Sequence, residues 1–130
     1  MTNAVGWFRT AVIEARDPKA LAEFWTQLLG LEIRVDWPDW IETDPGHGGV
    51  LLAFKPAADD TRIGVSAISL DVEVQDLDVA QTAAEALGAT LVEIEHYTPE
   101  EEHRIMADPE GNRFTLVLPF PPGWPESAAK

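Results

Sequence analysis

The chain has 130 residues, no cysteine, 45% hydrophobic and 25% charged side chains, which suits one globular domain and excludes disulfides, thiolate metal sites and cysteine nucleophiles. Nine basic against 23 acidic residues give a formal charge of −14, so phosphate backbones are repelled and nucleic acid is not an expected partner; the same charge serves solubility and biases towards cationic ligands. No apolar run approaches the roughly 20 residues of a membrane span, and MTNAVGWFRT has neither part of a signal peptide, so a cytoplasmic protein without membrane contact is expected.

In chain order, residues 8–15 (FRTAVIEA) alternate as a strand does. Trp7, Arg9, Ala11, Ile13 and Ala15 share one face, and Phe8, Thr10, Val12 and Glu14 the other. Asp17-Pro18 reads as an N-cap followed by proline at the first helical position. Leu21, Phe24, Trp25, Leu28 and Leu29 follow helical spacing up to the stop at Gly30. Strands are predicted at 31–35, 40–43 and 50–54, with Trp37-Pro38-Asp39 as turn chemistry and Asp44 to Gly49 as a loop. Lys55 to Gly64 reads as a linker.

Val65 starts the pattern again. Ile68, Leu70, Val72 and Val74 share one face, and Ala67, Ser69, Asp71 and Glu73 the other. Asp76 is placed to cap a helix marked by Leu77, Val79, Ala80, Ala83, Ala84 and Leu87, which Gly88 closes. Strands follow at 90–94, 104–107 and 113–118. The tail 119–130 holds four prolines and cannot be regular structure, although Phe120 and Trp124 predict that its first part packs. Asp17 pairs with Asp76, Gly30 with Gly88, and Asp44-Pro45 with Asp108-Pro109. The expectation is therefore an α+β chain, a single domain over 1–130 built of two βαβββ repeats, about 6–56 and 65–119, with the proline-rich tail after them. Two such units can cover their bare sheet faces by curving around a shared cleft, the default ligand site.

Three segments carry a family resemblance. They are residues 17–31, Leu70 to Asp76 with Leu87-Gly88-Ala89, and Ala107-Asp108-Pro109-Glu110-Gly111-Asn112-Arg113-Phe114, which is close to a DPxGN turn before a last strand. In them the chain resembles the vicinal oxygen chelate superfamily, which groups glyoxalases, bleomycin-resistance proteins and extradiol dioxygenases, and within it the glyoxalase-like branch. The resemblance implies curved mixed sheets around a cleft that usually holds one divalent metal. Its ligands come from the first and last strands of each half. The corresponding residues here are Thr10, Ser69, Thr115 and either Leu52 or Leu51. None is an imidazole or a carboxylate, which such metals require. His47, His96 and His103 show no local ligand spacing. No metal and no cofactor is expected.

Two kinds of function follow from the resemblance. The first is binding of a small organic ligand, cationic or aromatic, without turnover. Phe8, Val12, Trp40 and Leu52 would form an apolar floor, with Thr10, Ser69 and Thr115 as hydrogen-bonding points and Asp71 as the charged one. Trp37 and Trp40 stand in a turn-rich stretch where a ring could stack on a flat ligand, whereas Trp25 belongs to the core and Trp7 and Trp124 to docking at the termini. The alternative is a metal-independent lyase or isomerase, in which Asp71 and His103 move protons near neutral pH. His103 follows three glutamates and reads first as a surface residue. The family also implies a homodimer.

Overall fold

The computed structural model describes residue 4, residues 8–64 and residues 69–123, without the side chains of Arg62 and Tyr97. The chain divides into two compact units, Met1–Ser66 with Asp108–Asn112, and Ala67–Ala107 with Arg113–Lys130. Each repeat follows the same order: β1 (Thr10–Ala15), α1 (Pro18–Leu29), β2 (Ile33–Trp37), β3 (Trp40–Thr43) and β4 (Leu51–Pro56), then β5 (Leu70–Glu73), α2 (Leu77–Leu87), β6 (Thr90–Thr98), β7 (Glu101–Ala107) and β8 (Arg113–Val117). Both sheets are mixed, ordered β1-β4-β3-β2 and β5-β8-β7-β6, so the first strand of each repeat pairs in parallel with its last. A short 3-10 turn at Asp60–Arg62 interrupts the expected linker. No helix among the described residues is long and apolar enough to cross a membrane.

Both helices begin and end where their caps predict. Asp17 accepts a hydrogen bond from the Ala20 amide at 3.1 Å, and Asp76 one from the Val79 amide at 2.9 Å. Each cap satisfies an amide that the helix itself cannot. The glycine after each helix is left-handed, Gly30 at φ 67° and Gly88 at φ 118°.

In the first unit α1 covers one face of its sheet. Lys19 on the helix pairs with Asp36 on β2, which marks the covered face as that of Asp36 and its cross-strand partner Ile41. By the pleat, Ala11, Ile13, Ala15, Leu52 and Phe54 lie on that face too. Against it stand Leu21, Phe24 and Trp25, all at most 3% exposed, with the rings of Phe24 and Trp25 edge to face at 5.4 Å. In the second unit Arg104 on β7 reaches Asp78 and Gln81 on α2, so the face of Arg104, Met106, Phe114 and Leu116 is the helix-covered one. Leu77 and Ala84 are buried there, but Val79 is 66% exposed. Two positions after Leu77, Val79 is turned about 200° around an α-helix, away from the stripe at 77, 80, 84 and 87.

The turn between β7 and β8 is part of the first unit. Asp108 is 4% exposed and accepts a hydrogen bond from Trp25 Nε1 at 2.9 Å, from the amides of Glu110 and Asn112, and from Asn112 Nδ2. Glu110 takes the amides of Arg16 and Asp17 on its two carboxylate oxygens, at 2.7 and 2.8 Å. Gly64 at φ 73° lies against this turn; a Cβ there would sit 3.0 Å from the Glu110 carbonyl oxygen. The DPxGN signature is thus a structural clamp on the start and core of α1.

The expected strands were too short in the second repeat. β6 and β7 run to Thr98 and from Glu101, because the acidic stretch zips into a hairpin with Glu95 opposite His103 and His96 opposite Glu102. Across it His96 Nε2 lies 3.7 Å from Glu102, and along β7 Arg104 pairs with Glu102, which offsets part of the like-charge repulsion. Phe120 is 70% exposed. The strand start at Val65 to Ile68 and the residues Trp7 and Trp124 lie outside the described residues.

Candidate functional site

The faces turned away from the helices are where the sequence argument put its site residues. On the first sheet Thr10 is cross-strand to Leu51, and Val12 to Ala53, all on the helix-averted face. Val12 is 46% exposed there, and Phe8, two residues ahead of β1, is also largely exposed. Leu52 is the correction. It is register partner to Ala11 on the α1 side and is buried, so it forms no part of the averted face. The two residues that do are its neighbours Leu51 and Ala53, because adjacent residues of a strand point to opposite faces.

On the second sheet Asp71 is cross-strand to Thr115, and Glu73 to Val117. Ser69 precedes β5 by one residue and is exposed, as is Asp71. Thr115 in turn pairs with Ile105, and His103 with Glu95, all on the same averted face. The acids here are more numerous than the sequence argument proposed: Asp71 and Glu73 from β5, Glu93 and Glu95 from β6, and Glu101 from β7. His103 Nε2 lies 3.6 Å from Glu101. Asp71 and His103, however, are two strands and two residues apart, roughly 12 Å between Cα atoms from standard strand spacing and rise. That is beyond direct hydrogen-bond reach, so the sheet does not bring the proposed proton-transfer pair together.

The positions that the family uses for its metal can be read through the register. Thr115 stands to β5 as Ala53 stands to β1, since Asp71 and Val12 occupy matching places ahead of the two capping aspartates. The four positions are then Thr10, Ala53, Ser69 and Thr115, three hydroxyls and a methyl. Neutral hydroxyls are weak donors for a divalent ion of this kind, and this set does not fit one. Among the described residues no group of three or more His, Asp or Glu side chains is arranged to hold a metal.

One polar cluster on the first sheet's averted face was not anticipated. Glu42, cross-strand to Ala53 and Val35, accepts a hydrogen bond from Trp40 Nε1 at 3.0 Å on one oxygen. Its other oxygen accepts from Arg34 Nε at 2.8 Å, with Arg34 Nη2 at 2.7 Å. The Trp40 bond first, and then Arg34, hold the Glu42 carboxyl below the usual carboxylate range against the opposing effect of burial. Arg34 reaches Glu42 because the β2–β3 ladder slips between Ile33 and Val35, which makes Arg34 the extra residue of a bulge. Nothing in the local sequence announces a bulge, which is why this cluster was missed. Trp37 parts company with Trp40: it is 61% exposed and lines a groove of about 300 Å³ with Asp17, Pro18, Lys19, Asp36, Pro38 and Ile41.

Comparison with known proteins agrees with this architecture. The family model of the glyoxalase-like domain matches residues 10–117. No curated protein sequence matches. Among solved structures, a glyoxalase/bleomycin resistance protein/dioxygenase family enzyme from Burkholderia phytofirmans PsJN has a TM-score of 0.69 at 22% identity, covering 84% of this chain and 95% of that one. An antibiotic binding protein from Streptomyces sp. CB03234 has a TM-score of 0.68 at 18% identity, over 92% and 100% of the two chains. The bleomycin-binding protein of bleomycin-producing Streptomyces verticillus, complexed with copper(II)-bleomycin, has a TM-score of 0.61 at 18% identity, over 91% and 100%. At these identities the likeness is one of fold. With the family match spanning most of its length, the chain belongs to the glyoxalase-like domain family.

Proposed function

We propose that this chain is a binding protein for a small organic ligand, cationic or aromatic, held without a metal. The observation that carries the reading is residue type at the positions the family uses for its metal: Thr10 and Ala53 in the first unit, and Ser69 and Thr115 in the second, are neither imidazole nor carboxylate. Two further features support it. The averted face of the second sheet carries Asp71, Glu73, Glu93, Glu95 and Glu101, a field that attracts cations. That of the first carries the exposed Val12 and the half-buried Trp40, an apolar and an aromatic side chain, with Leu51 and Ala53 buried on the same face. Two structures of the same fold come from proteins described as antibiotic binding and bleomycin-binding. A homodimer is part of the proposal, and a monomer mass in light scattering at micromolar concentration would count against that part.

The test is calorimetric titration of the full chain, in EDTA, with metal-free bleomycin and a panel of planar aromatic amines. The expected result is saturable binding of at least one compound at one equivalent per chain, with the compound recovered unchanged. Asp71→Asn should weaken the cationic binders severalfold. Conversion of a compound that depends on an added divalent metal would overturn the reading.

A further inference from the structure

We infer that Glu42 is a positioning residue that holds Trp40 and Arg34 as a preformed pair, and that this pair reads a planar aromatic group bearing a hydrogen-bond acceptor. The inference rests on the ligand-binding proposal and narrows the ligand it admits.

Glu42 is a costly residue for its place. Its side chain is 16% exposed on the averted face of a sheet where its cross-strand neighbours are Val35 and Ala53. A carboxylate there loses much of its hydration, a loss that an apolar residue would avoid. Both of its oxygens are engaged, one by Trp40 Nε1 and the other by the Arg34 guanidinium. The carboxylate is therefore not presented to a ligand; its effect is on the two neighbours that it orients.

Those neighbours have the properties of a recognition pair. Trp40 is half-buried, and the bond from its indole N–H fixes the ring plane, so stacking on it costs little further ordering. Arg34 is carried by a bulge, the usual device for re-aiming one side chain of a strand, and its side chain is 49% exposed. A guanidinium has five N–H donors in a rigid plane, and the bonds to Glu42 use only its Nε and one Nη edge. The Nη1 edge of Arg34 is a donor edge that the Glu42 carboxylate does not occupy. The complementary group is an acceptor oxygen, such as a carboxylate, phenolate or carbonyl, and not an ammonium.

The experiment uses two probes with one ring system and opposite charge, 1-naphthoate and 1-naphthylmethylammonium, titrated calorimetrically into wild type, Arg34→Gln, Glu42→Ala and Glu42→Gln. Circular dichroism confirms folding at the assay temperature. Wild type should bind naphthoate more tightly than the ammonium by about tenfold, the worth of one charge-assisted hydrogen bond. Arg34→Gln should remove that preference. Glu42→Ala should weaken both probes by about tenfold, whereas Glu42→Gln, which keeps an acceptor for the Trp40 indole, should recover naphthoate binding to within about threefold. A preference for the ammonium overturns the inference. So does an Arg34→Gln variant that still discriminates, or equal losses in Glu42→Ala and Glu42→Gln. If neither naphthalene binds while an aromatic amine still does so in an Asp71-dependent way, the inference falls and the binding proposal stands. If nothing binds, both fall.

Discussion

Replacing Asp108 by alanine should be among the most damaging single changes outside the apolar core. The carboxylate is 4% exposed and serves four separate donors: the Trp25 indole N–H, the amides of Glu110 and Asn112, and the Asn112 side chain. The indole N–H is buried with Trp25 at 1% exposure, so losing its acceptor leaves a donor that water cannot reach, at about 1–3 kcal/mol. The two amides lie in a turn that can take up water, and each adds less. The sum is about 3–4 kcal/mol, a large part of the roughly 5–15 kcal/mol that holds a domain of this size. It corresponds to a fall in Tm of about 10–15 °C. The assay is thermal and urea unfolding of Asp108→Ala beside Asp36→Ala, whose ion pair with Lys19 is about half-exposed on both sides and contributes little. A double-mutant cycle with Trp25→Phe isolates the indole bond, and its coupling should exceed about 1 kcal/mol. If Asp108→Ala is no worse than Asp36→Ala, or the coupling is zero, the account of this turn as a clamp on α1 is wrong.

Two further outcomes are expected. Glu42 is held below the ordinary carboxylate range by its bonds to Trp40 and Arg34, so its contribution to stability is full above the unfolded-state value near pH 4.3 and fades as the pH falls through the depressed folded value. Urea unfolding between about pH 5 and 2.5 should therefore show a shallower loss of stability on acidification for Glu42→Gln than for wild type; parallel curves would contradict it. Arg104→Lys should destabilise by about 1–3 kcal/mol in chemical denaturation, because the Arg104 side chain is 12% exposed and its fork reaches Asp78, Gln81 and Glu102 at once. A variant as stable as wild type would show that this link between α2 and β7 carries little.

Local chemistry made both helices legible to the residue at their starts. Asp17-Pro18 and Asp76 are N-caps whose side chains reach amides three residues on, and Gly30 and Gly88 end the helices because left-handed backbone suits glycine. The repeat followed from alternation and spacing, and the poverty of the metal positions from the family resemblance. Where long-range pairing competes with local appearance, the reading fell short. Glu101 and Glu102 look like exposed loop, yet they belong to β7, opposite Thr98 and His96. Val79 looks like part of an apolar stripe, yet the turn of α2 puts it in water.

What the sequence determined by itself is the identity and order of the elements, since caps, periodicity and turn residues act within a few positions of one another. It also determined the chemistry available at the family's ligand positions, because residue type is all that question needs. The tertiary structure alone decided the register. One residue of register exchanges the faces of a strand, which takes Leu52 to the helix side and leaves Leu51 and Ala53 on the other. It also decided which polar groups meet: Asp71 and His103 stay apart across β8, Trp25 finds Asp108 from the other repeat, and a bulge at Arg34 brings a guanidinium onto Glu42. Such meetings depend on strand order and backbone slip, and these are set by contacts between residues distant in the chain.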